Sequence, residues 1–416
     1  MRRSRIALLT ALGVDNFGSG LFLPVALLYV TRVVGLPLAM AGTIIALGTV
    51  AGLAAPPVAG RLVDRVGPWQ VVICAVLLQA LGVVAYLSAR GAVVVAVAAV
   101  LLAAGQQSFY SSVFALISDV AGDGPKDRPF AVVGMVRSSC FGLGALAAAG
   151  LLSLAGPAGF RAAVAIDAVS FAVCALLLAL LVRVPRPHRR DLAAARAGPG
   201  RLSADRPFLA LIVATGLVAL STDFFLSGIS VYALAQLHTQ PWLPGALLAL
   251  LTAVNSVGAT AALRVTRRMY RTTAMALGAG LYAAWCAASL AAVAVPAVWR
   301  AAELMAATLL MAAAGLLFQS RTNALAEAAA PAARRGRYLA AFQYAFTVPG
   351  VVAPAVVALF SVALWLPWLL VATSAVLAIV ALRLVAGHLP AHALRPGPPP
   401  APAACVPHDL RPGATG

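Results

Sequence analysis

Charge is scarce in this chain. Only 10% of its 416 residues are Asp, Glu, Lys or Arg, against about a quarter in an ordinary soluble domain. Lysine is nearly absent, one residue against 29 arginines, a bias that fits a GC-rich bacterial genome. A phosphate-binding loop needs lysine after glycine to reach nucleotide phosphates, and the only lysine, Lys126, follows Pro125. Direct ATP hydrolysis is therefore not expected. Histidine is missing from the middle of every apolar run: His188, His388, His392 and His408 lie in polar segments and His238 near a run's end. With no Cys/His cluster and no nucleophile signature, neither a metal site nor an enzyme is indicated. Of five cysteines, Cys74, Cys140, Cys174 and Cys286 fall inside apolar runs and Cys405 in the tail. Structural disulfides are not expected from that placement.

Apolar sequence is what the chain has in quantity. Hydrophobic residues make up 62% and mean hydropathy is +0.96. Runs of about 18 or more apolar residues, long enough to cross a bilayer, fall at 6–31, 37–59, 70–89, 91–118, 130–152, 160–183, 207–236, 243–263, 272–294, 297–321, 338–360 and 364–386. An all-α membrane protein of twelve transmembrane helices is predicted. The run at the start follows Arg2 and Arg3 in the manner of a secretory signal, but Asp15 interrupts it and no small-residue cleavage site follows, so it is read as a retained first helix.

The net charge of +18 is explained by topology. Nucleic-acid binding needs basic residues on one accessible face, whereas here they sit in short clusters between apolar runs. With the N-terminus inside, 25 of the 30 Lys and Arg residues fall on the cytoplasmic side; Arg32, Arg90, Arg161 and Arg300 fall outside, and Arg137 within a helix. The positive-inside rule then places both termini in the cytoplasm of a cell-membrane protein. Residues 1–183 and 207–386 form two six-helix halves. Between them 184–206, rich in Arg with Pro and Gly, reads as a cytoplasmic linker. Residues 387–416, rich in Pro and Ala, read as a disordered tail.

The stretch Gly60-Arg61-Leu62-Val63-Asp64-Arg65-Val66-Gly67 interrupts this apolar background as a charged turn between the second and third helices. Its glycines let helices approach and the chain reverse, while Asp64 and Arg65 can cap helix ends or pair with other charges. The pattern resembles the signature loop of major facilitator superfamily transporters, Gly-x-x-x-Asp-Arg-x-Gly followed by basic residues. Gly60, Asp64, Arg65 and Gly67 match, and Pro68 and Trp69 replace the basic pair. The resemblance implies a cytoplasmic conformational latch; a merely solvated turn is the alternative.

Polar residues inside the runs are the remaining candidates. Asp15, followed by Asn16 and Phe17, lies about 15 Å past Arg5. An acid there costs about 2.5 to 3.5 kcal/mol by insertion scales, so it either faces a cavity with a function or bonds a neighbouring helix. Arg137 lies at similar depth in the fifth helix and is a candidate partner for it. Gln106, Gln107, Ser108, Tyr110, Ser111 and Ser112 in the fourth helix either tie helices together or line a wet path. Arg300 and Glu303, three apart, share a face of the tenth helix, as an interfacial ion pair or as cavity residues. The halves echo each other: Asp15 precedes Pro37 by 22 residues, and Asp223 precedes Pro244 by 21. The second copy of the latch is degraded to Arg264-Val-Thr-Arg267-Arg268.

The resemblance to the facilitator superfamily covers about residues 6–386. It implies two pseudo-symmetric halves that rock around a central site lined by helices one, four, seven and ten. Asp167-Ala-Val-Ser170-Phe171 resembles the sixth helix of bacterial exporters of the macrolide and enterobactin type. Two departures stand out: no arginine in the fourth helix and no Gly-Pro in the fifth. Phe17, Phe109, Tyr110, Phe224, Phe225, Tyr232 and Phe318 on the implied cavity helices suit an amphipathic organic compound, or serve as the ordinary packing residues that aromatics also are in membranes. The expectation is proton-coupled efflux of such molecules by a monomer in the lipid bilayer, with a proton gradient and no cofactor. Asp15 and Asp223 exchange protons, Arg137 tunes Asp15, and Asn16, Phe17, Gln106, Gln107, Tyr110, Phe224 and Glu303 line the cavity. A nutrient importer of the same fold, or a non-transporting membrane sensor, is the alternative.

Overall fold

The computed structural model describes residues 2–122, 126–182, 204–240, 242–331 and 334–395. The linker expected over 184–206 lies outside the described residues up to 203, as does the tail from 396. Among the described residues eleven helices are long and apolar enough to cross a bilayer, twelve when the bent pair Arg3–Phe22 and Ala26–Arg32 counts as one span. The others are Met40–Val66, Pro68–Leu87, Ala92–Ala121, Asp127–Leu152, Ala158–Leu181, Arg206–Gln236, Leu243–Val265, Arg271–Ala291, Arg300–Ala329, Arg335–Ser361 and Leu366–Ala386. They are referred to below as the second to twelfth spans. The bundle end at which the first span begins is called the basic face.

Prolines set the irregularities. Pro24 has no N–H for the carbonyl of Gly20, and the first span bends there by 43°. In the second span Pro57 leaves the Leu53 carbonyl without its helical donor. The Tyr344 hydroxyl of the eleventh span donates to that carbonyl at 2.6 Å, so a backbone group freed in one half is satisfied from the other.

The expected turn at 60–67 is a correction. Ala55–Val66 is helical, and the chain reverses only at Gly67, whose φ of 94° favours glycine. Gly60, Asp64 and Arg65 therefore ride on the last turns of the second span. Seven residues at 1.5 Å rise add about 10 Å of helix beyond the apolar run, and this carries Asp64 toward the other half.

The first span packs against the fifth and sixth, the third against the fourth, the seventh against the eleventh and twelfth, and the ninth against the tenth and twelfth. Between halves, the second meets the eleventh and the eighth meets the fifth. Glycine permits the closest of these approaches: a Cβ on Gly144 of the fifth span would run into the Phe17 carbonyl oxygen and lie 3.1 Å from the Gly20 Cα. With no water to drive association between helices, such backbone proximity is how spans gain van der Waals energy.

Candidate functional site

The first and fifth spans start at the same face, so Asp15 and Arg137 sit at matching depth. They do not pair directly. Among the described residues no ion pair within 4.0 Å joins them, and Asn16 stands between. Its Nδ2 donates to Asp15 Oδ2 at 3.2 Å and to the Leu12 carbonyl at 2.9 Å. Its Oδ1 accepts from Arg137 Nε at 3.3 Å. Arg137 Nη2 donates to the Tyr110 hydroxyl of the fourth span at 2.6 Å, with the guanidinium 4.8 Å from that ring's centre. The result is a four-residue relay, Asp15–Asn16–Arg137–Tyr110, across three spans. The expected two-residue pair is corrected by geometry: consecutive residues on a helix point about 100° apart, and Asn16 is the one that lies toward the fifth span.

Asp15 is buried, and its Oδ1 has no hydrogen-bond partner. Asp167 of the sixth span lies against the same turn of the first span. A Cβ on Gly18, three residues after Asp15, would be 2.7 Å from Asp167 Oδ1. Ser170 donates its hydroxyl to the Asp167 carbonyl oxygen at 2.8 Å, and Asp167 Oδ2 is buried without a partner. Asp223 is half-buried, and a Cβ on Gly350 of the eleventh span would lie 3.9 Å from its carboxyl. It is on a different span from the relay and is not joined to it.

The expected cavity residues divide. Phe17, Gln106 and Tyr110 are half-buried. Gln107 is buried and accepts through Oε1 from the Thr347 hydroxyl at 3.1 Å, a contact between halves. Phe224 is a correction: it is 1% exposed, with ring centres 5.1 Å from Trp368, 5.9 Å from Phe360 and 6.4 Å from Trp285. Phe109, Phe225, Tyr232 and Phe318 are likewise buried in packing. Large rings gain most where they meet other rings edge-on, and the twelfth span supplies Trp368 for that. The Arg300–Glu303 pair does not form among the described residues. Arg300 instead donates to the carbonyls of Leu237 at 2.9 Å and Val295 at 3.2 Å, while Glu303 is half-buried.

Polar contacts between the halves gather at the basic face. Asp64 Oδ1 accepts the Gly336 N–H at 2.8 Å, and Oδ2 lies 3.2 Å from Arg337 Nε. Gly60 makes room: a Cβ there would lie 2.7 Å from Ala340 Cβ, and one on Gly336 would lie 2.7 Å from the Gly60 carbonyl oxygen. Arg65 and Gly67 make no contact with the other half among those the structure gives.

A second set, not singled out from sequence, centres on Asp127 at the start of the fifth span. Arg271 donates to it from Nε at 3.1 Å and Nη2 at 2.5 Å, and Arg321 Nη1 at 2.6 Å. All three side chains are buried. Arg321 Nη2 continues to the Thr266 hydroxyl at 2.7 Å, and Arg271 Nη1 to the Ala393 carbonyl at 2.8 Å. Ala393 belongs to a short helix, Ala391–Leu394, so the expected disordered tail is corrected for its first residues: 387–395 pack on the ninth and tenth spans because Ala393 and Leu389 bury there.

By the twofold relation of the halves, the second and eleventh spans correspond to the eighth and fifth. The Asp64–Arg337 contact thus has a counterpart with its charges exchanged: Thr266, Arg271 and Arg321 in the second half, and the acid at the start of the fifth span. Of the degraded second latch motif Thr266 joins this network, accepting from Arg321 of the same half, while Arg264, Arg267 and Arg268 are exposed. The network's signal in the sequence was the rarity of acids, 12 in the whole chain, which makes an Asp at a span's start worth pairing. A third set joins Ser118 to Glu327 at 2.5 Å, and Arg335 to both Glu327 at 3.4 Å and Asp119.

Comparison with known proteins adds the following. The family model described as Major Facilitator Superfamily matches residues 8–299. No curated protein matches by sequence. Among solved structures, a bacterial homologue of the iron transporter ferroportin in the outward-facing state superposes with TM-score 0.74 at 15% identity, covering 92% of this chain and 100% of that one. The E. coli fucose:proton symporter FucP gives 0.70 at 15%, covering 92% and 98%. The proton:xylose symporter XylE gives 0.73 at 13%, covering 90% and 94%. At these identities the likeness is one of fold.

Proposed function

The chain belongs to the Major Facilitator Superfamily, and from that premise we propose that it is a proton-coupled exporter of small amphipathic organic compounds in the cell membrane, working by alternating access as a monomer with both termini in the cytoplasm. The observation that carries this reading is the relay at mid-membrane depth. A buried carboxyl with one oxygen free of partners, held through Asn16 to a half-exposed arginine, is expensive to keep in a membrane and is the kind of group that exchanges protons with a path. Asp223 is the second exchanging group, and Arg137 tunes Asp15 through Asn16. The basic-face contacts are the reversible closure, broken and remade as the halves rock. The closure is on the basic face, which the positive-inside rule assigns to the cytoplasm. Two structural relatives of the same fold are proton symporters, so the fold by itself does not favour export. Export is favoured by the resemblance of Asp167-Ala-Val-Ser170-Phe171 to exporter helices.

The test is accumulation of a fluorescent amphipathic dye by cells expressing the protein, with and without an uncoupler. Wild type is expected to lower accumulation. The uncoupler, Asp15→Asn and Asn16→Leu are each expected to abolish that effect. Uncoupler-sensitive extrusion that survives when Asp15 and Asp223 are both changed to Asn would remove the coupling assignment.

A further inference from the structure

Arg137 has more hydrogen-bonding capacity than the protein uses. Of the five N–H donors of its guanidinium, the one on Nε goes to Asn16 and one on Nη2 to Tyr110; Nη1 has no partner among the described residues. Among the described residues no carboxylate lies within 4.0 Å of it. The side chain is half-exposed about 15 Å from the start of its span. That exposure is turned inward, because Arg137 bonds to the first and fourth spans. The strongly exposed apolar face of the fifth span, marked by Leu146 at 72% exposure, lies nine residues on and so about 180° round the helix. At such depth an arginine keeps its charge and is costly without an anion.

We propose that Arg137 binds the cargo directly and that the cargo carries one carboxylate. This rests on the transporter reading and sharpens it. Fork geometry on Nη1 and the remaining Nη2 hydrogen matches a planar carboxylate. A single cation, linked through Asn16 to the Asp15 carboxyl, suits a monoanion and disfavours phosphate esters of higher charge. The half-buried Tyr110 ring, on which the guanidinium already rests, offers an apolar wall to the rest of such a molecule.

Binding is measured on the purified full-length protein in detergent micelles, by ligand-induced shift of the thermal unfolding midpoint. The probes are 1-naphthoate, octanoate and their neutral amides, with sodium chloride against sodium sulfate at equal ionic strength as the inorganic arm. Wild type is expected to be stabilised by at least one carboxylate and not by its amide. Arg137→Gln is expected to weaken that carboxylate by about tenfold or more, and Arg137→Lys by less. The comparison of acid with amide on the unmodified protein does not depend on any variant folding. Equal shifts by acid and amide, no shift by either carboxylate, stabilisation by chloride alone, or full carboxylate binding in a folded Arg137→Gln protein would each overturn the proposal. Because no gradient or flux enters the measurement, a failed proton-coupling test leaves this one standing, and the reverse.

Discussion

Asp127→Asn tests the closure of the basic face most sharply. The carboxylate receives three charge-assisted bonds from Arg271 and Arg321 at 3.1, 2.5 and 2.6 Å, in a site where all three side chains are buried. The amide keeps the shape but removes the only negative charge among the described residues in contact with the two buried arginines. Breaking one partner of a buried pair costs about 3 to 5 kcal/mol. The loss applies to the closed arrangement alone, since opening the face lets water reach both guanidinium groups. At 1.4 kcal/mol per factor of ten, the closed state should lose about a hundredfold to several thousandfold in population relative to the open one. Amide hydrogen exchange reads this locally. Amides from Thr266 to Arg271, from Asp127 to Phe130 and in Ala391–Leu394 should exchange about a hundred times faster or more in Asp127→Asn. Amides of the twelfth span, which the network does not touch, should stay within a factor of about two. If the first group also changes by no more than a factor of two, the network does not hold the halves together.

Gly336→Ala should open the same face from the other contact. Its Cβ would lie 2.6 Å from Asp64 Oδ1 and 2.7 Å from a backbone oxygen, so exchange over Ala55–Val66 should rise, and unchanged exchange would refute the close-approach argument. Tyr344→Phe leaves the Leu53 carbonyl unsatisfied at a cost of about 1 to 3 kcal/mol; the unfolding midpoint in micelles should fall by a few degrees, and an unchanged midpoint would mean that water or another donor already serves that carbonyl. Phe224→Ala should act on stability and not on cargo choice, costing about 3 to 5 kcal/mol through the cavity left among Trp285, Phe360 and Trp368. A stable protein with an altered range of cargo would return Phe224 to the cavity wall.

Hydropathy alone determined the class, the number of spans and most of their limits, because a bilayer imposes one dimension on every crossing segment and leaves length and apolarity as the only requirements. Asp15 and Arg137 were equally legible, since any charge inside an apolar run is conspicuous. How they connect was not. Whether Asp15 or Asn16 faces the fifth span depends on the rotation of one helix against another, which packing sets through contacts such as Gly144 on the Phe17 carbonyl. Burial of Phe224 likewise needed the twelfth span, 144 residues along the chain from residue 224 to 368, to bring Trp368 beside it. Asp127 has no distinguishing mark in the sequence beyond the rarity of acids; only the meeting of the two halves places Arg271 and Arg321, distant by 144 and 194 residues, around one carboxylate. Side-chain pairing across helices follows from azimuth and tertiary contact, and neither has a one-dimensional signature.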